Sequence, residues 1–124
     1  MENRVKFLER LNISLDYAGR VYQHYLVNDK KFVYAKILFE VNTEISVLVR
    51  DGVKLLPTDL RVDAFELMFH IDVWRNIWLD ECGRQKPSWD DTFIFPTLVS
   101  FPKKSVQNLL ESGLVADEKA NMLS

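Results

Sequence analysis

The stretch from Thr58 to Cys82, TDLRVDAFELMFHIDVWRNIWLDEC, constrains the fold most, because it is apolar on too many sides for an ordinary surface helix. Laid out at ~100° per residue, Leu60, Ala64, Leu67, Ile71, Trp74 and Trp78 share one face, which reads as the core face. A second apolar group, Val62, Phe65, Phe69 and Val73, falls on roughly the opposite side, with Met68 and Leu79 between the two. The polar arc is narrow and holds Asp59, Asp63, Glu66, His70 and Glu81. A helix with this much apolar circumference is covered on more than one side, by its own chain or by a partner.

Two helices are expected before it. From about residue 2 to 27, Leu8, Leu11, Leu15, Ala18, Tyr22 and Tyr25 recur at spacings of three and four, an apolar seam. Gly19 lies beside the seam and either lets a neighbouring helix approach or is simply tolerated, at a cost of about 1 kcal/mol relative to Ala. Asn28-Asp29 supplies a stop and a cap with room only for a tight turn, so the next helix folds back. That helix, from about 30 to 55, gathers Tyr34, Ile37, Leu38, Val41, Ile45, Leu48, Val49 and Leu56 on one broad face. Phe32 and Phe39 project from its other side, to be buried under the C-terminal segment or exposed as a contact patch.

Pro57 ends the second helix, and Thr58 is placed to cap the third. Gly83 is the expected stop after Cys82. From 84 to 101 helical periodicity is lost, and RQKPSWDDTFIFPTLVS is both long and apolar. Phe93, Phe95, Val99 and Phe101 alternate, but Pro96 interrupts them, so this segment is expected to be an extended aromatic strap covering part of the third helix's second apolar side. A short fourth helix from about 102 to 112, capped by Ser100 and stopped by Gly113, turns Val106, Leu109 and Leu110 inward. Residues 114–124 read as a frayed tail. The predicted fold is all-α: a small bundle of three long antiparallel helices and a short fourth, with the strap between helices 3 and 4.

At 124 residues the chain suits one domain, and 48% hydrophobic with 27% charged is ordinary globular composition. No apolar run approaches the ~20 residues that span a bilayer, so no membrane partner is expected. MENRVKFLERLN carries charges where a signal peptide is apolar. With Cys82 as the single cysteine, these features point to the cytoplasm. A formal net charge of -2 without a basic cluster argues against nucleic acid.

Few chemistries survive inspection. Glu66 and His70 stand one turn apart, with Asp63 near, but the spacing is not that of di-iron bundles and no second pair completes a metal site. Cys82 lies at a helix C-terminus, where the dipole disfavours a thiolate. Asp90 and Asp91 are explained by a turn. No phosphate-loop, dinucleotide, nucleophile-elbow or zinc-protease pattern occurs, so no cofactor or metal is expected and catalysis is disfavoured. The helix after the Asp51–Thr58 turn is too acidic to enter a DNA groove.

What remains is surface contact. The sequence predicts a protein–protein interaction module, of the regulator, adaptor, inhibitor or immunity type, binding a protein partner or a second copy as a homodimer. Its candidate interface is Phe32, Phe39, Phe65, Phe69 and Val73. The alternative is a small-molecule or catalytic pocket between the third helix and the strap, with Glu66, His70, Trp74 and Trp89 lining it.

Overall fold

A computed structural model of the chain describes residues 3–96 and 101–112. Three long helices, α1 (Arg4–Val27), α2 (Phe32–Gly52) and α3 (Thr58–Gln85), precede a short α4 over 103–112. No strand occurs among the described residues. The expected Ser100 cap, Val99, Gly113 and the 114–124 tail lie outside them.

Helix α1 begins where Asn3 Oδ1 accepts from the Lys6 amide at 2.9 Å, a side-chain cap on one of the first-turn donors. It ends at Asn28, whose amide and Nδ2 both donate to the His24 carbonyl. Asp29 and Lys30 then turn through left-handed backbone, at φ 60° and 52°. The buried side of α1 is Phe7, Leu8, Leu11, Ala18, Val21 and Tyr25. Compared with the expected seam, Phe7 and Val21 are added, and Tyr22 points outward.

Helix α2 closes in a single 3-10 turn, Val53–Leu55, before Pro57. The expectation that Thr58 caps α3 is corrected: Pro57 occupies the cap position, and Thr58 is the first helical residue. The carbonyls left over at the end of the 3-10 turn are taken up by Arg61, whose Nε donates to Leu56 O at 2.9 Å and Nη2 to Lys54 O at 3.3 Å. At its far end α3 runs through Gly83 to Gln85 rather than stopping at the glycine. Glu81 braces that last turn by accepting from Arg84 and Gln85. Lys86 then adopts left-handed backbone at φ 48°, with its amide donating to the Cys82 carbonyl at 2.9 Å to close the helix.

Two apolar clusters hold the bundle. The larger joins Phe7, Leu8 and Leu11 of α1 to Ile45 and Val49 of α2, Ala64, Leu67 and Ile71 of α3, and Val106 and Leu109 of α4. A glycine is required at position 52, where a Cβ would overlap the Phe7 ring. Gly19 has no such role, because nothing lies within 4 Å of where its Cβ would stand. Of the two readings of Gly19 the tolerated glycine holds, and the close helix approach belongs to Gly52.

Candidate functional site

The second cluster is aromatic and organises the strap. Phe32 and Phe39 of α2, Tyr25 of α1, Trp78 of α3 and Phe93 of the strap are all buried in it. Phe39 stacks on Trp78 with ring centroids 4.3 Å apart, and Phe32 meets Phe93 edge to face at 5.3 Å. Lys36 and Arg75 lie over the outer edges of the cluster, 5.5 Å and 5.3 Å from the Phe39 ring. Offset and edge-on ring pairs of this kind contribute about 0.5–1.5 kcal/mol each beyond their burial.

The strap is held by main-chain bonds as well as rings. Lys31, the cap residue of α2, offers no side-chain acceptor, so the first amides of that helix need partners from elsewhere. The strap supplies them: Phe32 N donates to Asp91 O at 2.8 Å and Val33 N to Trp89 O at 3.1 Å. In return Phe93 N donates to Lys30 O at 2.8 Å, Thr92 Oγ1 to Asp29 O at 3.2 Å, and Tyr25 Oη to Phe93 O. The alternating phenylalanines thus produce an isolated antiparallel bridge, Lys31 with Thr92, instead of a strand. Burial pushes the Tyr25 phenol above its ordinary pKa, with the neighbouring Tyr22 adding to the effect.

This geometry corrects two expectations. Phe32 and Phe39 are core residues, consumed by the aromatic cluster, and offer no interface. The described part of the strap covers the Trp74 and Trp78 side of α3 and leaves the opposite side bare.

That bare side is the candidate site. Val62, Phe65 and Phe69 are 60%, 54% and 62% exposed, and Val73 at the end of the same stripe is half-buried. They lie opposite Ala64, Leu67, Ile71 and Trp78, which are buried. Polar ties flank α3 on both sides. Arg75 Nε donates to Thr43 Oγ1 at 3.0 Å and Ser46 Oγ to Asp72 Oδ1 at 3.5 Å on the α2 side. Asn108 Nδ2 reaches the Asp63 carboxylate at 3.4 Å on the α4 side. The stripe is therefore bounded by neighbouring elements but covered by none of those described.

The four residues expected to line a pocket beneath the strap are not brought together. Trp74 packs on Phe39 and Phe95, and Trp89 sits exposed against Phe32. Glu66 is exposed on α3. His70 meets Phe101 edge to face at 5.3 Å and lines a different space, an open cleft of about 600 Å³ among α1, α2, α3 and α4. Gly19, Tyr22, Asn42, Ile71 and Leu110 also border this cleft. Gly19 and His70 are the two residues of its lining that stand out in the sequence, one for its missing side chain and one as a pocket candidate. Among the described residues no group of three or more His, Cys, Asp or Glu is placed to hold a metal ion, and no helix is long and apolar enough to cross a membrane. Comparison of the chain with protein-family models, curated proteins and solved structures found no match.

Proposed function

We propose that this chain is a non-catalytic protein–protein interaction module that works through the outer face of α3. The observation that carries the reading is two phenylalanines and a valine, each more than half exposed, on the side of a helix directly opposite its core face. Singly exposed apolar residues are ordinary on a protein surface, whereas a stripe running over successive turns marks a contact surface. The half-buried lone Cys82 suits action in a reducing compartment such as the cytoplasm.

Magnitudes set the kind of interaction. Covering the stripe removes roughly 300 Å² of apolar surface from each partner. At ~25 cal/mol per Å² that contributes about 15 kcal/mol over the two surfaces, against an association cost of roughly 4–15 kcal/mol. The balance runs from nothing to about 11 kcal/mol, and with roughly 600 Å² covered over the two surfaces the contact falls below the standard interface size, as a reversible contact does rather than an obligate one.

The test is the pair Phe65→Ala and Phe69→Ala in one chain. The variant is expected to keep its helical spectrum and cooperative unfolding while its associated mass, followed by light scattering, falls. Association that survives the double change would remove the α3 face from consideration.

The cleft among the four helices favours a second reading, binding of a small apolar molecule, because its volume lies in the range of ligand sites. Gly19→Leu extends into that space from a position where a Cβ meets nothing within 4 Å. Under this reading it abolishes uptake of a hydrophobic fluorescent probe and leaves association through α3 intact.

A further inference from the structure

We infer that the occupant of the outer α3 face is a second copy of this chain, packed antiparallel so that Phe65 lies against the partner's Phe69 and Phe69 against the partner's Phe65. The inference rests on reading that face as an interface, and adds to it the partner and the register.

Along the stripe the residues run Thr58, Val62, Phe65, Phe69, Val73, Asn76. In chemical terms the order is polar, aliphatic, aromatic, aromatic, aliphatic, polar, and it reads the same from either end. The heights agree with the chemistry. Positions 58 and 76 centre on 67, 65 and 69 also centre on 67, and 62 and 73 centre between 67 and 68. A two-fold contact uses the same patch on both copies, so that residue i meets j while j meets i. A helix stripe palindromic in both chemistry and height meets that condition when two copies run antiparallel about position 67. Val62 then faces the partner's Val73, and the exposed Thr58 and Asn76 close the two ends of the contact.

One flank of charges follows the same symmetry, while on the other the exposed Glu66 comes level with the partner's Glu66. Arg61 and Asp72 fall on one flank of the stripe and centre between 66 and 67, so Arg61 stands level with the partner's Asp72. An antiparallel two-fold brings like flank to like flank, which makes this a reciprocal pair of opposite charges. Each group keeps capacity for it. Arg61 engages the Leu56 and Lys54 carbonyls through Nε and Nη2, and Asp72 accepts from Ser46 through Oδ1, leaving Nη1 and Oδ2 for the partner.

The experiment uses the full chain with Cys82→Ser, to which Val62→Cys or Val73→Cys is added singly. Each variant is treated with a short bismaleimide alone and as an equal mixture, with circular dichroism checking the fold. Sedimentation equilibrium follows the wild type and Phe69→Asp through the micromolar range. The wild-type mass is expected to rise toward two chains with concentration, and Phe69→Asp to weaken association at least tenfold. Covalent dimer is expected from the mixture and not from either variant alone, because the two copies of position 62 stand roughly 15 Å apart along the axis. Covalent dimer from each variant by itself, or none from the mixture, overturns the antiparallel register. A wild type that stays at one chain overturns the second copy as occupant while leaving the face available to another protein. A dimer indifferent to Phe69→Asp overturns this inference and the interface reading together.

Discussion

The Tyr25 hydroxyl donates to the main-chain oxygen of Phe93 across 68 residues of sequence, at 2.5 Å, and so ties the end of α1 to the strap. The phenol is buried and its pKa is raised, which means that the fold favours the neutral form. Its contribution is complete below the ordinary phenol value near 10 and is lost as pH rises through that value toward the higher folded one.

Urea unfolding of the wild type is therefore expected to lose midpoint steadily above about pH 10. Tyr25→Phe should be about 1 kcal/mol less stable at pH 8, the net worth of the missing hydrogen bond. The gap between the two proteins is expected to narrow as pH rises, since the variant has no phenol to ionise at this position. A gap that stays constant to pH 11 would show that the hydroxyl contributes nothing dependent on its proton.

The two glycines near α1 predict opposite effects of one substitution. Gly52→Ala drives a methyl group into the Phe7 ring, a fully buried side chain, and is expected to cost about 1–3 kcal/mol. Gly19→Ala meets nothing and restores helix propensity, so it is expected to add about 1 kcal/mol. Chemical denaturation of both variants checks the pair.

Lys86 ends α3 with φ 48°, a conformation that burdens a side chain with a Cβ. Lys86→Gly relieves that strain at the position where helices favour glycine, and is expected to stabilise the protein by about 0.5–1 kcal/mol. Thermal unfolding reads the difference.

The helices were legible because their core faces repeat. Leu8, Leu11 and Ala18 on α1, Leu38, Val41 and Ile45 on α2, and Ala64, Leu67 and Ile71 on α3 are buried as their spacing implied. What periodicity could not carry was contact between segments distant in sequence. That Gly52 rather than Gly19 is the glycine pressed by a neighbour depends on where Phe7 lands, which no local pattern encodes. The strap was recognisable as extended and aromatic, but its docking site was set by the uncapped start of α2. The amides of Phe32 and Val33 take its carbonyls, and this draws Phe93 onto Trp78 instead of onto Phe69. The outer α3 residues Phe65 and Phe69 stand out on the helical wheel alone, while Phe32 and Phe39, equally apolar, belong to the core because Phe93 of the strap closes on Phe32 and Trp78 of α3 stacks on Phe39.

The same division predicts how two phenylalanines differ in effect. Phe93 is fully buried among Phe32, Trp78 and Phe95, so Phe93→Ala is expected to cost about 3–5 kcal/mol at every protein concentration. Phe69 is 62% exposed, and Phe69→Ala is expected to change the stability of a dilute sample by no more than about 0.5 kcal/mol. Mass action separates the two further. If association covers the α3 face, the wild-type melting temperature rises with concentration, since binding stabilises only the folded chain. Phe69→Ala flattens that rise, whereas Phe93→Ala lowers the whole curve and preserves its slope. Calorimetry across a hundredfold range of concentration distinguishes these behaviours, and a wild-type melting temperature independent of concentration would count against any self-association through Phe69.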